Sequence, residues 1–228
     1  MAAKVQDLGV WGTKVGMTQV FDEEGDVVPV TIIQLADNVV TEIRTKEKDG
    51  YSAVQVGSFP TKTHRMTKPE RMNLEKKNLP LFRNLKEFRC HEAVEGVAVG
   101  EALNLEEFFK DLKKVDIRGT SIGKGFQGGI KLHNMTVGRR SHGSKSKRII
   151  GSLSAGTTPG RVYRGKRMPA MMGNHPVTIS KAKVFKYDAE KKLLLVRGGV
   201  TGKTGSIVTI KAYGIKSWNH YNKEQPAA

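Results

Sequence analysis

Apolar and polar residues alternate in short blocks toward both ends of this chain and lose that order in the middle. Gly9–Phe21 is rich in Val, Thr and aromatic residues. Asp22-Glu23-Glu24-Gly25-Asp26 supplies a turn, and Val27–Leu35 resumes with Val, Thr and Ile, the make-up of half-buried strands bounded by turn residues. Stretches 39–45 and 53–59 follow, separated by Lys48-Asp49-Gly50, whose Asp-Gly pair favours a hairpin. Turns this short join antiparallel strands rather than βαβ units. The β pattern returns at 177–187, turns at Asp188-Ala189-Glu190, and continues at 192–197 and 206–213.

Between these ends the periodicity changes twice. Lys68-Pro69-Glu70-Arg71 can open a helix, with proline in its first turn. Leu74, Leu81, Phe82, Leu85 and Phe88 recur at spacings broken by Pro80, which predicts short helices and loops. Stretch 104–112 has a possible N-cap at Asn104, Glu106 and Glu107 in the first turn, and an apolar face of Phe108, Phe109 and Leu112. Residues 117–173 suit neither regular element: they hold 12 Gly and 12 Lys/Arg and few large apolar residues, a composition ordinarily associated with disorder. The expected class is mainly β. One economical arrangement is an antiparallel barrel built from both chain ends, 1–59 and 174–215. It would carry a small mixed α/β insert at 60–116, an extended arm at 117–173 and a polar tail at 216–228.

Charge changes this picture most. The 228 residues carry 39 Lys+Arg against 22 Asp+Glu, a formal charge of +17, with a pI near 10.0. Between Asp116 and Asp188 lie 71 residues without a single carboxylate and with 15 Lys/Arg, so the rest of the chain is nearly neutral. A footprint this localised implies a polyanionic partner. No apolar run approaches the roughly 20 residues of a spanning helix, which makes a membrane the weaker partner. Residues 1–12 lack the marks of a secretory or transit segment, so none is expected unless it has been removed. The lone Cys90 rules out an internal disulfide framework and fits a reducing compartment.

Several motifs lose their force on inspection. Gly123-Lys124-Gly125-Phe126-Gln127-Gly128 fits G-x-G-x-x-G, but no helix pattern follows and no acid appears for some sixty residues, as a dinucleotide site would require. Gly199-Val200-Thr201-Gly202-Lys203-Thr204 resembles a phosphate loop, yet Arg197 stands where its first glycine belongs and a strand pattern follows. His64, His91, His133, His142, His175 and His220 form no ligand spacing. The basic segment offers no carboxylate to orient a catalytic histidine or hold metal ions. No catalytic residue, metal site, cofactor or small-molecule substrate is expected.

Two subsegments carry the positive case. Residues Arg139, Arg140, Ser141, His142, Lys145, Lys147 and Arg148 interleave cations with small hydroxyl residues and glycine. Arg161, Tyr163, Arg164, Lys166 and Arg167 add an aromatic. Such residues neutralise phosphates, donate to phosphate and sugar oxygens, and stack on bases. Arg118, Lys124, Lys131 and His133 complete the candidate RNA-binding set. About ten phosphate contacts would give a salt slope of roughly 0.7–0.9 log unit each, strong but not sequence-selective. Fifty-seven residues in an extended hairpin would reach on the order of 80 Å.

At these residues the sequence resembles the L-three family of large-subunit ribosomal proteins, in its bacterial and chloroplast form, over almost the whole chain. The similarity is carried by Gly12-Thr13-Lys14-Val15-Gly16-Met17-Thr18-Gln19-Val20-Phe21, Gly123–Gly128, Gly151-Ser152, Thr158-Pro159-Gly160-Arg161-Val162, Gly165-Lys166-Arg167-Met168 and Leu193-Leu194-Leu195-Val196-Arg197-Gly198. The resemblance implies a six-stranded barrel of the translation-protein type with an inserted subdomain. It also implies an extension, here about 118–173, running through large-subunit rRNA toward the peptidyl transferase centre. Further implications are early action in subunit assembly, ribosomal proteins L-fourteen and L-nineteen as neighbours, magnesium ions only as part of the rRNA, and a ribosome of the chloroplast stroma or, alternatively, the bacterial cytoplasm. Departures from the family pattern are Ala155 in place of a methylatable glutamine, Lys147 in place of histidine, and Ala170-Met171 in place of Gly-Arg. Pro176 and the tail from Lys216 also depart.

Two other classes keep a place beside this one. An RNA-processing or nucleotide-dependent enzyme predicts a carboxylate cluster beside the arm or nucleotide binding. A free RNA chaperone or DNA-compacting protein predicts similar affinity for unrelated nucleic acids.

Overall fold

The computed structural model describes residues 8–90, 97–110 and 112–213; the expected polar tail lies outside them. These residues form two compact units, one drawn from both ends of the chain up to Thr120 and from Pro176 onward, the other from Ser121–His175.

The first unit is built on a six-stranded antiparallel sheet. Its strands are β1 (Gly9–Phe21), β2 (Val27–Leu35), β6 (Lys114–Thr120), β9 (Pro176–Asp188), β10 (Leu193–Arg197) and β11 (Ile207–Ala212). They run in the order β1-β11-β6-β9-β10-β2, and β2 pairs back onto β1 so that the sheet closes into a barrel. Besides Ala182 of β9 at 8% exposure, the barrel strands supply Val10, Ile33, Val115, Ile117, Leu194, Val196, Val208 and Ile210, all essentially fully buried. Each such side chain is worth roughly 1.5–3 kcal/mol relative to exposure. Closure needs bending, and the register slips at Lys14/Gly16, at Val115/Ile117 and at Leu195/Val196 supply it. At the Val115/Ile117 slip Lys181 takes φ +60, and its backbone N–H is held by the Asp116 carboxylate at 2.9 Å.

A second sheet in the same unit contains β3 (Asn38–Arg44), β4 (Ala53–Pro60) and β5 (Phe82–Arg89), in that order. Val40, Val54, Val56 and Phe88 from it share one core cluster with the barrel's Val10, Ile33 and Leu194. Gly9 is tied to this junction, because a Cβ there would lie 2.1 Å from the Phe88 ring. Asn38, 1% exposed, is the polar pin: its Oδ1 accepts from the Trp11 backbone N–H at 2.7 Å, and its Nδ2 donates to Ala36 O at 2.6 Å. The Trp11 indole N–H donates to Val56 O at 3.2 Å. Helix α2 (Lys68–Lys76) carries its proline in the first turn, and α3 (Leu105–Phe109) is capped by Asn104, whose side chain accepts from Glu106 and Glu107. Phe109 of α3 stacks on Tyr187 of β9 with ring centres 4.9 Å apart.

Three differences from the sequence expectations stand out. The stretch after Pro80 is the strand β5 rather than short helices and loops, because it pairs along β4 and buries Phe82 and Phe88 at its two ends. The barrel does not take 1–59 whole: β3 and β4 leave it for the second sheet, while β6, assigned to the insert and the arm, supplies its third wall. The Lys48-Asp49-Gly50 turn does join two antiparallel strands, but as a single helical turn, α1 (Lys46–Asp49), ended by Gly50 at φ +78.

Replacing Asn38 by Ala is expected to cost about 1–3 kcal/mol, since it leaves the buried Trp11 amide unpaired. Urea unfolding should show a lower midpoint with an unchanged slope.

Candidate nucleic-acid interface

The chain leaves β6 at Thr120 and rejoins β9 at Pro176, and these two residues are register partners. The second unit lies between them in sequence. Its first rungs are polar and local: Ser121 N–H donates to His175 O at 3.0 Å, Asn174 N–H to Ser121 O at 3.1 Å, and Lys124 N–H to Met172 O at 2.8 Å. A two-stranded ribbon of β7 (Gly125–Gln127) and β8 (Ala170–Met172) follows, then the short helix α4 (Gly129–His133). The stretch expected to lack regular structure therefore contains three small elements besides part of β6. The glycines make this possible where chain meets chain. Gly173 sits at φ +76 with Ile122 O only 2.1 Å from where a Cβ would be.

Almost nothing in this unit is enclosed; among its residues only Gly129 is buried. Its backbone is held by bonds such as Gly138 N–H to Lys147 O at 3.1 Å, Ser154 Oγ to Arg161 O at 3.2 Å and Lys166 Nζ to Ser152 O at 3.0 Å. The eleven Lys and Arg of Ser121–His175 are all exposed, and no carboxylate in the unit can pair with them. Lys124 precedes β7 and Lys131 lies on α4. Arg139, Arg140, Ser141, His142, Lys145, Lys147 and Arg148 fall in one loop with a left-handed turn at His142-Gly143. Arg161, Tyr163, Arg164, Lys166 and Arg167 fall in a second loop, with Tyr163 60% exposed.

Two candidates stand apart from that group. His133 is only half exposed, and its Nε2 lies 2.9 Å from Met168 O. It pins α4 to the strand-ward end of the second loop. Arg118 belongs to the other unit: it projects from β6 on the barrel wall, paired opposite Thr178 and Thr209. There it is close enough to Lys86 to help depress that lysine's pKa. Among the described residues no group of three or more His, Cys, Asp or Glu is placed to hold a metal ion.

Residues 91–204 match the family described as Ribosomal protein L3. The Large ribosomal subunit protein uL3c of Nicotiana tabacum is 47% identical over 204 residues, spanning 89% of this chain and 78% of its own length. The uL3 protein of Thermosynechococcus vestitus is 46% identical over 203 residues, 89% and 95% of the two chains. That of Phaeodactylum tricornutum, also named uL3c, is 42% identical over 203 residues, 89% and 97%. The chain belongs to the ribosomal protein L3 family. As an L3-family protein it is a structural constituent of the large ribosomal subunit and serves translation, and its relatives are ribosomal proteins rather than enzymes. Its similarity to plant uL3c and cyanobacterial uL3 proteins supports a ribosomal, plastid-type location.

In this L3-family chain, sequence reasoning passed over a set of exposed apolar side chains beside the cations. Phe126 and Met171 are register partners on the β7–β8 ribbon and each is 70% exposed; Ile149 is 68% exposed. The signal was present in Phe126, an aromatic inside the glycine-rich run Gly123–Gly129. With Phe126 opposite Met171, that rung of the ribbon presents an apolar pair to solvent.

Gly173→Val is expected to break the Ser121–His175 end of the second unit while leaving the barrel folded. Hydrogen exchange should show faster exchange at the amides of Lys124 and Asn174 and unchanged protection in β2 and β10.

Proposed function

We propose that this chain binds large-subunit rRNA through the acid-free strip 117–187, with Ser121–His175 as the principal contact. The observation that carries this reading is a unit with eleven exposed cations, no acid and almost no core. Isolated, such a unit repels itself; threaded through folded RNA, each cation meets a phosphate and releases counterions. Ser141, Tyr163, Phe126 and Met171 add hydroxyl donors and flat or apolar surfaces for sugars and unstacked bases. His133 acts indirectly, by holding α4 in place.

The resemblance extends the reading. The closed sheet is taken as the translation-protein type of barrel, and the second unit as the extension that runs toward the peptidyl transferase centre. Binding occurs early in subunit assembly, with L-fourteen and L-nineteen as neighbouring proteins. Divalent ions at the interface are those of the RNA, since the contact residues are cations and hydroxyls.

Two experiments test this. If about eight of the eleven cations meet phosphates, log K for large-subunit rRNA should fall by about 6 per log unit of salt. At physiological salt the chain should prefer that RNA over an unrelated RNA of equal length, and equal affinity would favour a general RNA chaperone. Replacing residues 136–167 with a short Gly-Ser linker should leave a folded barrel that no longer cosediments with large subunits in high-salt gradients. Undiminished cosedimentation would contradict the proposal.

A further inference from the structure

A second concentration of positive charge lies in the first unit, where three strands bring cations together. Lys86 comes from β5, Arg118 from β6 and Lys211 from β11, the last two residues beyond Thr209, the register partner of Arg118. Lys86 Nζ donates to Thr209 Oγ1 at 2.8 Å, which among the described residues is its hydrogen-bond acceptor. Thr209 Oγ1 in turn donates to Arg118 O at 3.4 Å. The ammonium stands 5.7 Å from the Trp11 ring centre and 5.5 Å from that of Phe88, and Lys211 Nζ lies 5.3 Å from the Phe88 ring.

This is an unfavourable arrangement as it stands. Burial, followed by the charges of Arg118 and Lys211, lowers the Lys86 pKa from 10.5 to about 8. The aromatic floor offsets only part of that, because a cation over a ring regains little of the hydration it loses. The same wall repeats the pattern: Lys114 of β6 is paired directly opposite Lys183 of β9, a like-charge contact that destabilises a sheet. Asp116, the carboxylate between Lys114 and Arg118, is engaged by the Lys181 amide. Asp116 is also the register partner of Lys211, so the cations here without a carboxylate ion-pair partner among the described residues are Lys86 and Arg118, and such a pair suits a phosphate-bearing polyanion. Phosphate oxygens accept well from both ammonium and guanidinium groups.

We propose that Lys86 and Arg118, with Lys86 positioned by Thr209, form a phosphate-binding site for the RNA backbone on the barrel wall, separate from the contacts of Ser121–His175. This rests on the reading that the chain binds large-subunit rRNA and adds a second point of attachment on the other unit. Half-buried Lys86 remains within reach of a phosphate, and the low-dielectric floor of Trp11 and Phe88 strengthens the attraction.

The test uses the full chain and transcribed large-subunit rRNA. Lys86→Met should reduce the salt slope by about 0.7–0.9, the share of one phosphate contact. Binding requires the charged ammonium, so wild-type affinity should fall about fivefold from pH 8 to pH 9 beyond any change in Lys86→Met. Without RNA, Lys86→Met should be more stable than wild type at pH 7. The folded pKa of Lys86 is depressed, so the unfolded chain binds more protons between about 8 and 10.5; wild-type stability should therefore rise over that window, and the variant should lack the rise. A merely structural lysine would not show greater stability together with weaker RNA binding. Arg118→Gln, at an exposed position, gives the same slope change should Lys86→Met not fold. Wild-type binding with slopes and pH profiles unaltered in both variants would overturn this site alone. So would a pH effect seen only with an acidic protein partner. No wild-type binding to the rRNA would overturn the underlying reading as well.

Discussion

Thr120 and Pro176 are partners at the end of two paired strands, and 55 residues separate them in sequence. Everything else about this protein depends on that pairing being held by the barrel rather than by the insertion. Val115, Ile117 and Ala182 bury the β6–β9 pair in the common core, so the insertion need contribute nothing to its own anchorage. Loop-closure entropy grows only logarithmically, and an insertion four times shorter would save about 1.2 kcal/mol. A stable β unit can therefore carry a long segment selected for something other than folding.

Freedom from the core explains the composition of the second unit. With only Gly129 buried, its residues can be glycine, for backbones that approach closely, and exposed cations that no acid in the unit opposes. The usual stabilising elements, apolar faces and ion pairs, are replaced by backbone bonds at loop crossings such as Gly138 to Lys147. No carboxylate of the unit quiets its charge internally. In the first unit, by contrast, Arg44 sits between Asp49 and Glu87, and both hold its pKa above the ordinary range. The two units treat positive charge in opposite ways, except on the barrel wall around Lys86 and Arg118.

Much of the fold was legible because most strands are amphipathic and local. β1 and β2 match the blocks read from the alternation, and β9–β11 lie within a residue or so of theirs. The Asn104 cap was visible because capping is decided within three residues. What escaped was partnership. β5 hides its pattern behind Pro80 and the polar side chains Arg83, Lys86 and Glu87, and it is a strand because β4 is there to pair with it. β6 opens the acid-free strip, so its glycine and arginine resembled the sequence that follows, yet Val115 and Ile117 fill the barrel interior.

The sequence by itself determined the family and the confinement of the excess positive charge to one acid-free stretch, since motif spacing and charge distribution are properties of the chain and need no coordinates. It also determined where most strands lie, because alternation is a local constraint. Only the tertiary structure decided which strands share a sheet, that His133 faces inward to Met168, and that Arg118 stands beside Lys86 on the barrel wall. Those outcomes depend on residues far apart in sequence competing for the same neighbours. No local pattern encodes the result of that competition.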